Sequence, residues 1–234
     1  FKVVHIEEKV PNMFKLVVHA PLLANKSRPG NFAIIMTEET SERVPITLSD
    51  WDSEKGTVTF FFQERGFSTK ELSEVKSGDY LHSVVGPLGN PIEIEKNKTL
   101  LLGGGCYGMG ALYPVAKAAK EIGNKVIMIM EGKSKDLLYL QKEYEQLVDK
   151  VVYITSDGSY GHKGSEHGKI ATGIEVVAQT ENVDVAYFVG CEMMMMEASQ
   201  MTEKLGIPTF VSLNTIMLDA VSYTHLTLPT KRIV

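Results

Sequence analysis

The sequence predicts two consecutive domains, an antiparallel β-barrel followed by an α/β domain with a doubly wound parallel sheet. Short runs rich in β-branched and aromatic residues, separated by Gly- and Pro-containing turns, fill residues 1–97. From residue 98 to 219, strand patterns alternate with helix patterns, which is typical of a parallel sheet. A glycine-rich loop joins the first strand of this second part to its first helix. We therefore place the domain boundary between residues 97 and 98.

The strands expected in the first domain are short and regularly spaced, as in small antiparallel barrels. A Pro-Gly pair, a Lys-Gly pair, a Ser-Gly-Asp turn and the segment GPLGNP separate them. One short helix is expected at 68–75. The predicted strands are 14–20, 31–37, 44–50, 56–63 and 79–86.

In the second domain, apolar runs that are predicted to be strands alternate with segments of helical spacing, and the first helix is expected to end at Gly123. The predicted strands are 99–104, 125–130, 150–156, 183–190 and 207–213. The predicted helices are 111–123, 134–148, 169–179 and 193–206.

Composition excludes several classes of function. The 234 residues carry a formal net charge of −5 and no Lys/Arg-rich run, which argues against a nucleic-acid partner. The apolar runs are too short to span a bilayer, and the N-terminus lacks a signal-peptide core. The two cysteines, Cys106 and Cys191, are too few for a disulfide framework, a zinc knuckle or a four-cysteine iron–sulfur site. We expect a globular, cytoplasmic protein with no membrane contact.

Three loops at predicted strand ends point to a nucleotide site. Gly103, Gly105 and Gly108 fit G-x-G-x-x-G, in which backbone N–H groups at a helix start face a phosphate; a tight strand–helix turn is the alternative. The loops 155–164 and 189–194 also follow strands. Because the carboxyl ends of parallel strands share one edge of the sheet, the three loops are expected to converge on a ligand.

Other side chains near these loops leave alternatives open. Cys106 is either a reactive thiol or a small side chain filling a tight loop. Glu131, at a strand end, would disfavour the 2′-phosphate of NADPH, whereas Lys133 and Lys135 would favour it. No Ser/His/Asp set, carboxylate dyad or metal-ligand spacing is visible, so the sequence offers nothing for hydrolytic chemistry.

An ordered set of motifs resembles the ferredoxin–NADP reductase-like flavoproteins. The resemblance is greatest to their electron-transfer subunits, which include those of dihydroorotate dehydrogenase, sulfide dehydrogenase and NADH-dependent ferredoxin–NADP oxidoreductase. It covers roughly residues 1–219. The motifs are RPGNF (28–32), RVPITLSD (43–50), GFST (66–69), VVGPLGNP (84–91), LLGGGCYGMGALYP (101–114), GKSKDLLYL (132–140), TSDGSYGHKG (155–164) and SLNTIML (212–218).

The resemblance implies FAD on the barrel and NAD(P)H on the α/β domain. Thr47 would lie near flavin N5, and many relatives carry Arg directly before Pro45, where this chain has Val44 and places Arg43 one residue earlier. The implied flavin-binding residues are Arg43, Val44, Pro45, Ile46, Thr47, Phe61, Phe62, Gln63, Gly66, Ser68 and Thr69. The implied nucleotide-binding residues are Gly103, Gly104, Gly105, Thr155, Ser156, Asp157, Gly190, Cys191 and Glu192.

The function implied by the resemblance is hydride transfer between NAD(P)H and FAD, followed by electron transfer through a [2Fe–2S] centre to a catalytic partner subunit. The motifs SLNTIM and RVPIT favour the sulfide dehydrogenase and ferredoxin–NADP oxidoreductase subunits. The dihydroorotate dehydrogenase subunit of pyrimidine biosynthesis is the alternative, and a flavin-free nucleotide-binding regulatory module is an alternative of another class. The cysteine cluster that relatives carry after SLNxIM is absent, and the tail SYTHLTLPTKRIV resembles translated adapter sequence. Residues 220–234 are therefore expected to be non-native or disordered, in place of the iron–sulfur segment.

Overall fold

The computed structural model describes residues 1–164 and 169–212 of the chain. They form two six-stranded sheets, one antiparallel and one parallel, which confirms the predicted fold class. The first sheet ends at Leu88 and the second begins at Thr99. The boundary that we place between residues 97 and 98 falls in the connecting segment and is still a prediction. The tail 220–234 lies outside the described residues.

The antiparallel sheet has the strand order β1-β2-β5-β4-β3-β6. Strands from both of its edges contribute to one hydrophobic core, with Val3 from β1 and Val84 from β6 among its members. Hydrogen bonds from Val3 N to Asp79 O and from Leu81 N to Phe1 O, both 2.8 Å, join the two ends of the sheet into a barrel. Its elements are β1 Val3–Val10, β2 Met13–His19, α1 Pro21–Ala24, β3 Phe32–Met36, β4 Val44–Asp52, β5 Thr57–Gln63, α2 Phe67–Glu74 and β6 Ser83–Leu88.

The parallel sheet has the order β10-β9-β8-β7-β11-β12 and carries helices on both faces. Alternate residues of its central strands belong to two cores, as the neighbours Leu101 and Leu102 show. Its strands are β7 Thr99–Gly105, β8 Lys125–Gly132, β9 Lys150–Thr155, β10 His162–Lys163, β11 Val185–Val189 and β12 Thr209–Val211. Its helices are α3 Gly108–Glu121, α4 Gln141–Leu147, α5 Lys169–Ala178 and α6 Glu192–Lys204, with a 3₁₀ turn at Lys135–Leu137.

Several elements differ from the sequence prediction, among them the short helix α1 and the two-residue strand β10, which were not predicted. The strand β1 was not predicted, because its segment HIEEK is polar; it lies at the edge of the sheet, where such residues face solvent. The single helix predicted at 134–148 is divided into a 3₁₀ turn and α4, because Leu140 adopts a left-handed conformation with φ of 60°. No helix in the described part of the chain combines the length and apolar content needed to cross a membrane.

Candidate functional site

A cavity of about 610 Å³ lies between the barrel and the parallel sheet, and we call it the cleft. Strands β4 and β5 of the barrel form one wall. The loops that follow β7 and β11 form the other wall. Since β7 has β8 on one side and β11 on the other, the chain reverses its direction of winding between β7 and β11. Open α/β sheets bind ligands at this kind of switch point.

The cleft brings together predicted residues from both halves of the chain. The flavin-binding strands of the barrel and the Gly190 loop, separated by more than a hundred residues in sequence, face each other across it. Their binding roles are still predictions. The predicted residues that line the cleft are Val44, Pro45, Ile46, Thr47, Phe61, Phe62, Gln63, Thr69, Gly190, Cys191 and Glu192.

Other predicted residues do not line the cleft. Arg43 is exposed just before β4, and Gly66 and Ser68 lie in the turn that begins α2. Gly103, Gly104 and Gly105 are buried at the end of β7. The segment 155–157 follows β9, which is two strands away from β7, so the sheet order separates it from the cleft.

Several residues that line the cleft were missed by the sequence analysis. Cys106 and Tyr107 are the two variable positions before Gly108 in the G-x-G-x-x-G motif, of which only residues 103–105 were predicted to bind the nucleotide. Arg65 immediately precedes the GFST motif. The missed residues are Ser49, Arg65, Cys106, Tyr107, Ala111 and Met195.

Hydrogen bonds hold the two loops of the α/β wall together. The Tyr107 hydroxyl donates to Gly190 O at 2.9 Å, which ties the loop after β7 to the loop after β11. The buried Tyr139 hydroxyl donates to Cys106 O at 2.9 Å and accepts from Gly110 N at 3.1 Å. Cys106 itself is left-handed, with φ of 49°. Tyr139 therefore fixes both the loop and the first turn of α3.

Contacts between β4, β5 and α3 join the barrel wall to the α/β wall. The ring of Phe61 in β5 packs against Tyr139 with centroids 5.1 Å apart, and a Cβ on Gly110 would stand 2.7 Å from Phe61 Cβ. The Lys117 ammonium of α3 forms an ion pair with Asp50 of β4 at 2.7 Å. These contacts hold the barrel wall against α3.

The glycines of the predicted phosphate loop serve packing. A Cβ on Gly103 would stand 2.3 Å from the Phe188 ring, and one on Gly108 would stand 1.7 Å from Val189 O. Without these side chains, α3 can pack directly on β11. This close packing is consistent with the tight strand–helix turn that the sequence left open as the alternative to phosphate binding. A contact of these glycines with phosphate is still a prediction.

The turn before α2 is built around Thr69. Its Oγ1 accepts from the backbone N–H groups of Arg65, at 2.9 Å, and of Gly66, at 3.1 Å. The Ser68 hydroxyl donates to the carboxylate of Glu42, from the loop between β3 and β4. An anionic group thus lies at the first turn of α2, where the helix dipole favours it.

The loop after β9 is organised by its own side chains. Thr155 is buried, and its hydroxyl donates to Tyr160 O at 2.8 Å and accepts from Tyr160 N at 3.1 Å. Asp157 accepts from Ser159 N at 2.9 Å, and its hydrogen bonds to Ser159 lower the pKa of its carboxyl. Lys135 lies over the Tyr160 ring, 5.0 Å from the centroid. The exposed Asp157 is thus a carboxylate at neutral pH.

Several ionisable groups in or near the cleft have raised pKa values, among them Cys106, Tyr107 and Glu131. Burial raises the pKa of the Cys106 thiol, and the neighbouring Cys191 adds to this, while Arg65 opposes it. A raised pKa leaves little thiolate at neutral pH, which argues against the reactive-thiol alternative for the exposed Cys106. Burial also raises the pKa of Glu131 to about 7. Glu131 does not line the cleft.

A second cavity, of about 600 Å³, lies between α3, the connection that precedes β7 and the strands β11 and β12. Among the predicted site residues only Thr47 lines it, and Thr47 also lines the cleft. Thr47 of β4 therefore borders both cavities, as does Ala111 of α3.

The residues present do not fit a [2Fe–2S] centre. Such a centre takes four protein ligands, usually cysteines. The sequence has two cysteines, and both line the cleft. Within residues 1–164 and 169–212, no group of three or more His, Cys, Asp or Glu side chains is placed to hold a metal ion.

Comparisons with known proteins agree with this architecture. No protein-family model matches the chain. A Thermotoga maritima protein named dihydroorotate dehydrogenase B (NAD(+)), electron transfer subunit homolog is 38% identical over 208 residues, which are 89% of this chain and 72% of that protein. An uncharacterized Clostridium beijerinckii protein from the adh 3′ region is 38% identical over 227 residues, covering 94% of this chain and 76% of that protein.

Solved structures lead to the same group. The structure of an NADH-dependent reduced ferredoxin-NADP oxidoreductase, described in work on flavin-based electron bifurcation, superposes with a TM-score of 0.86 and 34% identity. The match covers 93% of this chain and 77% of that one. A Neisseria gonorrhoeae ferredoxin NADP+ reductase with bound FAD and NADP shares the fold, with a TM-score of 0.74 at 13% identity.

Proposed function

This chain belongs to the ferredoxin reductase-like electron-transfer subunits, the family of the dihydroorotate dehydrogenase B electron transfer subunits, and we propose that it transfers a hydride between a nicotinamide nucleotide and FAD in the cleft. The family makes it an oxidoreductase of electron transport. The observation that carries the proposal is that the cleft has one wall from the barrel and one from the switch point of the parallel sheet. Two cofactors held by different domains can therefore meet in it.

The residues of the cleft suit this role. When bound, FAD and the nicotinamide nucleotide supply the redox chemistry, and the protein supplies binding and orientation. Val44, Ile46 and Phe62 present apolar side chains that exclude water from the reacting faces. Thr47 of β4 offers a hydroxyl at a position that borders both cavities. No side chain needs to act as a general acid or base, because the hydride moves between the cofactors.

Reconstitution tests the proposal. The purified chain is incubated with FAD, desalted and examined for flavin absorbance, and it is then mixed with NADH or NADPH without oxygen. We expect bound flavin that is bleached by at least one nucleotide, and the faster of the two identifies the physiological donor. A chain that takes up no FAD would instead support the flavin-free regulatory module. Bound FAD that neither nucleotide bleaches would contradict the hydride step.

We propose further that the electrons leave for a catalytic partner subunit. This proposal is supported by the Thermotoga maritima relative, which is named an electron transfer subunit homolog, and by the similarity to the oxidoreductase described in work on flavin-based electron bifurcation. The Thermotoga maritima relative favours a dihydroorotate dehydrogenase as the complex to which this chain belongs, whereas the solved structure favours a ferredoxin–NADP oxidoreductase. Because the cysteines of this chain do not fit an iron–sulfur centre, we assign this chain no step through one. Reduction of an artificial acceptor by NADH would measure the part of the reaction that this chain performs.

A further inference from the structure

We propose that Cys106 and Cys191 form a redox-sensitive pair, and that their oxidation to a disulfide closes the nucleotide side of the cleft. The two residues are the only cysteines of the sequence, and both are free, exposed and part of the cleft lining. The modification site follows from the placement of the two thiols. Its effect on the cleft rests on the proposed function.

The two cysteines occupy equivalent positions after neighbouring parallel strands. In the register of β7 and β11, Gly104 pairs with Val189. Two residues further along the chain from each of these lie Cys106 and Cys191. Neighbouring strands are about 4.8 Å apart, and the Cα atoms of a disulfide are usually about 4.4–6.8 Å apart. The strand register therefore places the cysteines opposite each other, at a strand spacing that a disulfide can bridge.

The two chain segments remain close beyond their last paired residues. A Cβ on Gly190 would stand 3.4 Å from Gly105 O, so the residues just before the two cysteines are in contact. The Tyr107 hydroxyl, which follows Cys106, donates to Gly190 O at 2.9 Å. Met194 packs against both strand ends, since a Cβ on Gly105 would stand 2.9 Å from its Sδ and one on Gly190 2.5 Å from it. The loops that carry the cysteines are thus held together.

The two thiols also interact electrostatically. Burial raises the pKa of the Cys106 thiol, and the charge of Cys191 raises this pKa further, as a nearby like charge does. Cys106 is therefore a poor nucleophile on its own, and we assign the first attack on an oxidant to Cys191. Cys106 reacts second, when the oxidised Cys191 lies next to it and the reaction is intramolecular.

The oxidant that we propose is a low-molecular-weight disulfide such as glutathione disulfide. The Cys191 thiolate attacks one of its sulfur atoms, the S–S bond breaks, and one glutathione leaves as a thiolate. The Cys106 thiolate then attacks the Cys191 sulfur and expels the second glutathione. The two protein thiols give up two protons and two electrons in total, and glutathione disulfide becomes two molecules of glutathione.

A disulfide at this position would change the α/β wall of the cleft and not the barrel wall. It would join the loop after β7 to the loop after β11, and the second of these contains Gly190 and Glu192, which we predict to bind the nucleotide. Strands β4 and β5, which we predict to bind the flavin, contain neither cysteine. We therefore expect oxidation to hinder the reduction of FAD by NADH more than the binding of FAD.

The experiment treats the purified protein, with and without FAD, with mixtures of oxidised and reduced glutathione. Remaining thiols are blocked with N-ethylmaleimide, and masses are measured before and after dithiothreitol. We expect an oxidised wild type that is two hydrogens lighter, carries no maleimide and yields a peptide linking Cys106 to Cys191. Reduction of bound FAD by NADH, followed by stopped-flow absorbance, should slow at least about tenfold and recover with dithiothreitol. FAD affinity should change by less than about twofold.

Cys106→Ser and Cys191→Ser are the matched controls, each compared with its own reduced form. Neither variant has a second thiol, so both should stop at a mixed disulfide with one glutathione. Cys106→Ser retains the thiol that attacks first, and it should gain this adduct faster than Cys191→Ser does.

Several outcomes would overturn the proposal. A wild type that carries two glutathiones, that keeps both thiols in glutathione disulfide alone, or that forms a disulfide between two chains would contradict the pairing. A disulfide within the chain that leaves the rate of FAD reduction unchanged would contradict the closure of the cleft. The mass measurement needs no flavin, so a chain that forms the disulfide but binds no FAD would overturn the proposed function and not the pair.

Discussion

At the scale of single residues, the Glu131 carboxyl is the least well satisfied polar group described near the cleft. It lies at the end of β8, and its Oε2 is buried with no hydrogen-bond partner among the described residues. Burial raises its pKa to about 7; Lys169 opposes this rise and Glu197 adds to it. A carboxyl enclosed in this way is a group that the fold prefers to keep neutral.

Glu131 should make stability fall as pH rises. The folded state holds the proton up to about pH 7 and the unfolded state releases it near 4.5, so the free energy of unfolding decreases between these values. Glu131→Gln removes the titration, so its own stability should lack this fall, and we expect it to be more stable than the wild type at pH 8 by roughly 1–3 kcal/mol, with the difference growing from pH 4 to pH 8. Urea unfolding from pH 4 to 8 measures this, with the exposed Glu203→Gln as control. A wild-type curve that is flat in this window would contradict it.

Glu42 should weaken flavin binding. Its carboxylate accepts from Ser68 at a turn that we predict to bind FAD, so it repels the phosphates of the ligand and competes for the same hydroxyl. Glu42→Gln removes the charge, and we expect FAD affinity to rise severalfold, or roughly 1 kcal/mol, more at low salt than at high salt. Fluorescence titration of the apoprotein checks this. Glu39→Gln, exposed in the same loop, should have little effect.

At the scale of elements, the start of α3 depends on a close approach between backbones. Gly108 begins the helix, and a side chain there would overlap the carbonyl of Val189 at the end of β11. The glycine thus positions a helix against a strand. The loop between β7 and α3 takes its place in the cleft because this packing is possible.

Gly108→Ala should therefore be strongly destabilising. Its Cβ would stand 1.7 Å from Val189 O, which requires a shift of α3 or β11, and we expect a loss of more than about 3 kcal/mol. Gly66→Ala is the control, because a Cβ there meets nothing within 4 Å, and it should cost less than about 1 kcal/mol. Thermal and urea unfolding compare the two. Similar losses for both variants would show that backbone freedom, and not the close contact, explains Gly108.

The sequence predicted elements well where periodicity is local. The alternation of strands and helices after residue 98 and the short strands before it follow from patterns that each segment carries alone. The division of the predicted helix 134–148 into two elements does not follow from a local pattern. Leu138, Tyr139 and Leu140 are consecutive and all buried, because they pack against distant parts of the fold. The Tyr139 hydroxyl reaches the loop at Cys106, and no local pattern encodes that contact.

The same distinction applies to the cleft. The sequence motifs predicted binding residues on the barrel strands and in the Gly190 loop, and both line the cleft. The position of Arg65 depends on how the turn before α2 folds onto Thr69, which a motif centred on β4 does not contain. Side chains placed by tertiary contacts were therefore the ones missed.

At the scale of the whole molecule, the proposed hydride transfer requires that the distance between FAD and the nicotinamide nucleotide be set by how the barrel packs on the α/β domain. Phe61 is held between Gly110 and the Tyr139 ring, and the pair Lys117–Asp50 adds a polar contact from α3 to β4. Hydride transfer requires reacting atoms about 3–3.5 Å apart. A small change in this packing should consequently affect the rate more than the affinity for either cofactor.

Gly110→Ala tests this coupling. Its Cβ would stand 2.7 Å from Phe61 Cβ, and Phe61 cannot move away because Tyr139 packs against it, so the walls must separate. We expect the reduction of bound FAD by NADH, followed by stopped-flow absorbance, to slow at least about tenfold, while FAD affinity changes little. Gly173→Ala is the matched control. Its Cβ would stand 2.8 Å from Ile129 Cγ2 in the core beneath α5, which includes no barrel residue, so it should lower stability without slowing reduction. Equal rates in the wild type and Gly110→Ala would mean that the contact between Phe61 and α3 does not set the distance between the cofactors.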